Sequence, residues 1–271
     1  MTNPWIAALF ALFIWWFSTG AILWAVRKAD QSGRAARLAL AGLTLPVLGL
    51  GIWGFMETLD DTSSSAAYWG FLAALAIWGW IETAFLTGVI TGPNLRDLPD
   101  DTPEFERFIR AWGTIAYHEM LLVGVLMAMW LYGHGAENTF GLWTFTVLFF
   151  ARISAKLNLY FGVPRINTEF LPVALRHLAS HFRIQRLNWM FPISISALTL
   201  ALACWLERLY AVDTAGATTG FALLTAITAL ALLEHWFMVL PLPDAKLWRW
   251  MLPAPKPKTT KTTQAEGHHG F

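Results

Sequence analysis

Thr218–Leu240 reads TTGFALLTAITALALLEHWFMVL, twenty-three residues in which Glu234 and His235 are the only ionisable side chains. As a helix this run would rise about 35 Å, enough to cross a hydrocarbon core about 30 Å thick. Six further runs have the same character, near Trp5–Val26, Leu38–Met56, Ala67–Thr91, Trp112–Gly133, Phe140–Phe161 and Trp189–Leu209. The sequence therefore predicts an all-α, polytopic bundle of about seven transmembrane helices.

Composition agrees, with 56% hydrophobic and only 14% charged residues in 271, against about a quarter charged in a soluble domain. Seven crossings leave no room for a large soluble domain, so residues 1–252 read as one transmembrane domain. No cleavable signal peptide is expected, because Met1–Pro4 has no basic side chain and no small-residue site interrupts the first run. The stretch 253–271, PAPKPKTTKTTQAEGHHGF, has too few apolar groups to pack and reads as a disordered tail.

The basic residues alternate in side. Arg27, Lys28, Arg34, Arg37, Arg96, Arg107, Arg110, Arg165, Arg176, Arg183, Arg186 and five tail residues (Lys246, Arg249, Lys256, Lys258 and Lys261) fall on one side, and only Arg208 on the other. Because cytoplasmic connections retain Lys and Arg, this predicts an N-terminus outside and a C-terminus in the cytoplasm. The basic residues border a bilayer in short connections, where anionic lipid is the expected partner and nucleic acid is not. Cys204 is the single cysteine, which excludes an internal disulfide and a thiolate metal cluster and leaves it the part of a small hydrophobe.

Within the connections, Thr102-Pro103-Glu104 reads as an N-cap with proline in the first turn, starting the fourth helix before the membrane. Residues 167–186 are too charged to span. Phe170, Ala174, Leu178 and Phe182 recur every four residues there and predict an amphipathic helix at the cytoplasmic interface. His177 and His181 have the spacing that would let both reach one metal ion from such a helix. Many of the sixteen tryptophans, Trp5, Trp24, Trp69, Trp112, Trp130, Trp143 and Trp189 among them, sit near predicted helix ends, as in an interfacial aromatic belt.

Ionisable groups inside hydrocarbon cost about 2.5–3.5 kcal/mol each, so they face the bundle interior and find partners. Glu82, His118, Glu119, Lys156, Asn158, Glu234 and His235 are all predicted about 5–14 Å inside the basic boundary, with Arg152 one turn from Lys156. Two chemistries suit this layer. In one, Arg152, Lys156 and Asn158 form a structural polar network with the carboxylates and the histidines donate hydrogen bonds. In the other, Glu82, His118, Glu119, Glu234 and His235 ligate a divalent metal or iron, as bundles do with Glu and His from facing helices. The usual Glu-x-x-His spacing is absent. A proton relay, or a small-molecule site where His118 or His235 meets a pigment's magnesium or carbonyl groups, is a further reading. Neighbouring residues on a helix point about 100° apart, so a shared site would lie between two helices and take one His and one Glu from each. No Gly-x-Ser-x-Gly, phosphate-binding glycine loop or His-Glu-x-x-His is present, since position 122 is Leu.

Several stretches together, PWIAALFALFIWWFSTGAIL, ETAFLTGVITGP, YHE, ARISAKLNLYFGVPRINTEFLP and LEHWFMVLPLPDAKLWRW, resemble the photosynthetic complex assembly proteins of the puh gene cluster of purple phototrophic bacteria, the PuhE family. The likeness covers nearly the whole chain apart from the tail. It implies a place in the photosynthetic cytoplasmic membrane and a role in forming the reaction centre and light-harvesting apparatus by modulating bacteriochlorophyll supply. The partners it implies are reaction-centre or light-harvesting subunits and bacteriochlorophyll-synthesis enzymes, with a bacteriochlorophyll intermediate as the ligand. The resemblance carries over no catalytic residues. A membrane-embedded, metal-dependent oxidoreductase acting on a tetrapyrrole or another lipid-soluble substrate stands as the alternative. A transporter is disfavoured by the lack of a polar path through the outer half of the bundle and of an inverted repeat.

Overall fold

The computed structural model describes residues 3–241, so the expected tail and its lysines lie outside the described residues. The described chain is all-helical: α1 (Pro4–Ser32), α2 (Arg34–Leu43), α3 (Leu45–Glu57), α4 (Ser64–Leu86), α5 (Glu104–Gly133), α6 (Phe140–Phe161), α7 (Met190–Ala211) and α8 (Ala215–Phe237). Seven spans are long and apolar enough to cross a membrane, with α2 and α3 sharing the second, Arg34–Glu57. Their division at Thr44 follows from the proline at the start of α3, which has no N–H to continue the α2 ladder. Leu131, Tyr210, Trp5 and Leu9 project outward with at least 66% of their surface exposed. An outer surface of this kind suits lipid and would be a liability in water.

The bundle is built around α4 and α8, whose apolar windows are 61% and 56% buried while those of α1 and α7 are 17%. α4 packs on α3, α6, α8, α1 and α5, and α8 on α7, α1, α4 and α6. Close approach depends on small residues, as expected where lipid removes the hydrophobic drive between helices. A Cβ on Gly141 of α6 would stand 2.9 Å from the Gly70 carbonyl oxygen of α4, so those backbones nearly touch. Phe71, Phe145, Leu122 and Leu223 fill the core beside that crossing, with Trp78 and Phe145 edge to face at 5.4 Å.

Several expected boundaries move. α4 ends at Leu86, short of Thr91, because Gly88 takes φ +77° and turns the chain aside. The segment after it lies against the flank of α5. Thr91 O accepts the His118 N–H at 2.9 Å, while Gly113 O and Arg110 O accept from Asn94 N–H and Nδ2 at 3.0 Å each. α5 does start before the expected span, at Glu104, but its N-cap is Pro103 and the Thr102 hydroxyl donates to Pro99 O instead.

The expected interfacial α-helix over 167–186 is replaced by two 3₁₀ segments, Thr168–Phe170 and Val173–His181. In a 3₁₀ helix residues three apart share a face. Leu175, Leu178 and His181 are accordingly the buried set, rather than the every-fourth series anchored on Phe170 and Ala174. The segment is held by its surroundings: Val163 bridges Ile184, Val173 N–H donates to Asp30 of α1, and Arg165 N–H donates to Met238 O beyond α8. It closes the end of the bundle where the basic connections lie, called here the basic end.

Candidate functional site

The intramembrane polar residues converge near the basic end but divide among several neighbours. α6 supplies the cations. Arg152 Nη2 donates to Glu82 Oε2 of α4 at 2.8 Å, and Lys156, one turn on, is ion-paired directly with Glu119 of α5. Phe85 lies between these pairs: its ring is 4.2 Å from that of His118 and 5.4 Å from the Lys156 ammonium. His118 is fully buried with Nε2 3.9 Å from Glu82 Oε1, and neither ring nitrogen has a hydrogen-bond partner among the described residues.

Glu234 and His235 serve different helices. Glu234 accepts from Trp15 Nε1 of α1 at 3.0 Å. His235 Nδ1–H donates to Ala231 O at 2.8 Å, which leaves Nε2 to accept the Ser154 hydroxyl of α6 at 2.9 Å. The 100° between adjacent residues thus lets one dipeptide fasten α8 to both α1 and α6. The same division holds for His118, which faces α4, and Glu119, which faces α6. The expected pairing of a His and a Glu from each of two helices around one point does not occur.

Asn188 and Arg107 are among the buried polar residues that escaped the sequence reading. Asn158 Nδ2 donates to Ser154 O and to Ser194 Oγ of α7, and Asn188 Nδ2 donates to Asn158 Oδ1 at 3.1 Å and to Gly162 O at 2.7 Å. Asn188 Oδ1 also accepts the Phe191 N–H at 2.9 Å, so this one side chain organises the entry to α7. Arg107, expected in a solvated connection, is 3% exposed inside the first turns of α5. Its Nη2 donates to Tyr160 O and His181 O, and its guanidinium carbon lies 4.0 Å from the Tyr160 ring centroid. The signal for Asn188 was a lone amide just before an apolar run; nothing in the local sequence marked Arg107.

Above the charged layer is a cavity of about 600 Å³, lined by α1, α4, α5, α6, α8 and the 3₁₀ segment. Most of its wall is apolar, including Trp15, Trp112, Ile115, Tyr160, Leu175 and Phe237. Glu119, Arg152, Lys156, Glu234 and His181 supply polar atoms. A smaller space of about 90 Å³ adjoins it, bordered by Trp15, Arg152, Glu234 and His235.

A family model described as "Protein of unknown function (DUF3623)" matches residues 1–259. The chain belongs to the DUF3623 family. A relative in Rhodobacter capsulatus, "Uncharacterized 30.4 kDa protein in puhA 5'region", is 55% identical over 254 residues, covering 94% of this chain and 93% of the relative. No solved structure matches the chain.

Among the described residues no group of three or more His, Cys, Asp or Glu could hold a metal ion. Arg152 and Lys156 occupy the carboxylates that would have been ligands. Neither His118 nor His235 lines the large cavity, and both nitrogens of His235 are engaged, while those of His118 are not. His177 and His181 also fail to share a face. Four residues of 3₁₀ helix turn the second about 120° from the first, and His181 Nδ1–H is directed at His177 O, 3.2 Å away. Burial holds both imidazoles below the ordinary histidine value.

Proposed function

We propose that this chain is an integral membrane factor that supports assembly of the photosynthetic reaction centre and light-harvesting apparatus. In this reading it acts by modulating bacteriochlorophyll supply, as the resemblance to the PuhE proteins implies, with the cavity holding a lipid-soluble molecule. Its N-terminus is periplasmic, its C-terminus cytoplasmic, and its membrane the photosynthetic one. Two things support the reading. The R. capsulatus relative is named for its position in the puhA 5' region, and the cavity has the size and apolar lining of a small-molecule site. The cavity carries the functional part of the argument: a binding role needs a protected volume beside lipid, and the ion pairs Arg152–Glu82 and Lys156–Glu119 suit a structural floor beneath it.

The test is an in-frame deletion of the gene in a purple phototroph, complemented by the full-length chain. The reading expects weaker near-infrared reaction-centre and antenna bands per unit of membrane in the deletion strain and recovery on complementation. Unchanged bands would overturn it.

A further inference from the structure

The cavity has an open side. Going round its walls, α1 packs on α8, α8 on α6 and α6 on α5, but α5 and α1 are not among the closely packed helix pairs and are linked instead through α4 and the 3₁₀ segment. Trp16 of α1 and Trp112 and Phe108 of α5, each more than 40% exposed, flank that gap. A molecule dissolved in the bilayer can therefore reach the cavity laterally.

The buried side-chain atoms of its lining residues left without a partner are two acceptors, Glu119 Oε2 and His181 Nε2, and one donor, Arg152 Nε. Glu119 is 2% exposed, and its Oε2 has no hydrogen-bond partner among the described residues; Lys156 takes the other oxygen. His181 is 3% exposed, and its Nε2 is likewise unpartnered. Nδ1 faces both His177 O and Ser180 Oγ, and the Ser180 hydroxyl proton is spent on His177 O at 2.7 Å, so Nδ1 carries the proton and the neutral ring leaves Nε2 with a bare lone pair. Two buried, unmet acceptors thus line a mostly apolar volume, and a buried acceptor left unmet is costly.

We infer that the cavity binds an apolar, lipid-soluble molecule bearing hydroxyl donors, a long-chain phenol or hydroquinone, whose O–H groups donate to His181 Nε2 and Glu119 Oε2 after entry between α1 and α5. The same ring with its oxygens blocked or oxidised presents only acceptors, which Arg152 Nε–H can meet but which leave Glu119 Oε2 and His181 Nε2 unmet. The inference shares the cavity with the proposed function but rests on the cavity's own polar atoms and assigns it an occupant of its own.

The test uses the full chain in nanodiscs of dioleoylphosphatidylcholine, whose headgroup carries no hydrogen-bond donor. Calorimetric titration compares a long-chain 5-alkylresorcinol with its dimethyl ether, which keeps the body and removes both donors. The diol should bind at least about tenfold more tightly, the worth of roughly one hydrogen bond to a buried acceptor. His181→Phe should remove most of that preference, and Ala155→Trp, which fills the cavity from α6, should abolish saturable binding of both compounds. Equal affinity for diol and ether in the wild-type chain, or a preference that survives Ala155→Trp, would overturn the inference. The ligand comparison stands even where a variant fails to fold. A null result here, with assembly still dependent on the gene, would remove the phenol and leave the assembly reading in place.

Discussion

Gly92→Ala should damage the protein out of proportion to one methyl group. A Cβ there would stand 2.1 Å from Gly113 O, 2.7 Å from Thr114 C and 2.8 Å from Ile115 N, all backbone atoms of α5 that no rotamer change can clear. Ordinary contact begins at 3.4 Å, so the segment after α4 must retreat from α5 by about 1.3 Å. The joint is held by hydrogen bonds of 2.9, 3.0 and 3.0 Å linking Thr91 and Asn94 to His118, Gly113 and Arg110. The same retreat would stretch them beyond 4 Å, where they no longer count as hydrogen bonds. At about 1 kcal/mol net each, the loss is about 3 kcal/mol, equivalent to a melting shift of about 6–12 °C for a chain of this size. Thermal unfolding of detergent-purified protein measures it, with Gly124→Ala as the control because nothing lies within 4 Å of a Cβ there. The control should be neutral or slightly stabilising. Faster deuterium exchange at the His118 amide should accompany the Gly92→Ala shift. Equal melting of the two variants would refute the account of how α4 and α5 are joined.

Lys156→Met should destabilise by about 3–5 kcal/mol, since it strands the buried Glu119 carboxylate, and adding Glu119→Gln should recover much of the loss; chemical denaturation of single and double variants checks both. Glu234→Leu should cost only about 1 kcal/mol in the same assay, because it forfeits a single hydrogen bond from Trp15. Asn188→Leu should cost about 2–4 kcal/mol, as it unlinks Asn158, Gly162 and Phe191 at once. His181 gives a pH signature. Its folded value is held below 6.5 by burial, so the unfolded chain binds the proton more readily. Its contribution to stability is therefore complete above about pH 6.5 and is lost as the pH falls. His181→Phe should flatten the acid limb of a melting-temperature profile.

Hydropathy alone located all seven spans, because crossing a bilayer demands about twenty apolar residues and leaves few other readings. It overshot the ends of α4 and α8, since the turn at Gly88 is a backbone event that apolar neighbours such as Val89 and Ile90 conceal. Residues 167–186 misled for a related reason. A four-residue recurrence was visible in the side chains, but the chain, tied to Asp30, Leu159 and Met238, is wound with three residues per turn. The polar layer was legible from its cost in hydrocarbon. Which helix each member faces was not, because Glu82 meets Arg152 only through the α4–α6 crossing at Gly70 and Gly141. Arg107 was unreadable in isolation, as its acceptors are carbonyls 53 and 74 positions along the chain. The cavity lay furthest from reach, being the consequence of two helices that fail to pack.

The most direct test of the central claim, that a lipid-accessible cavity above a paired ionic layer does the work of this chain, is complementation of the deletion strain with Ala155→Trp. Near-infrared absorbance per unit of membrane would be read alongside the amount of the variant present. The account predicts that the variant accumulates in the membrane and fails to restore the reaction-centre and antenna bands. Full restoration by a chain with its cavity filled would contradict it.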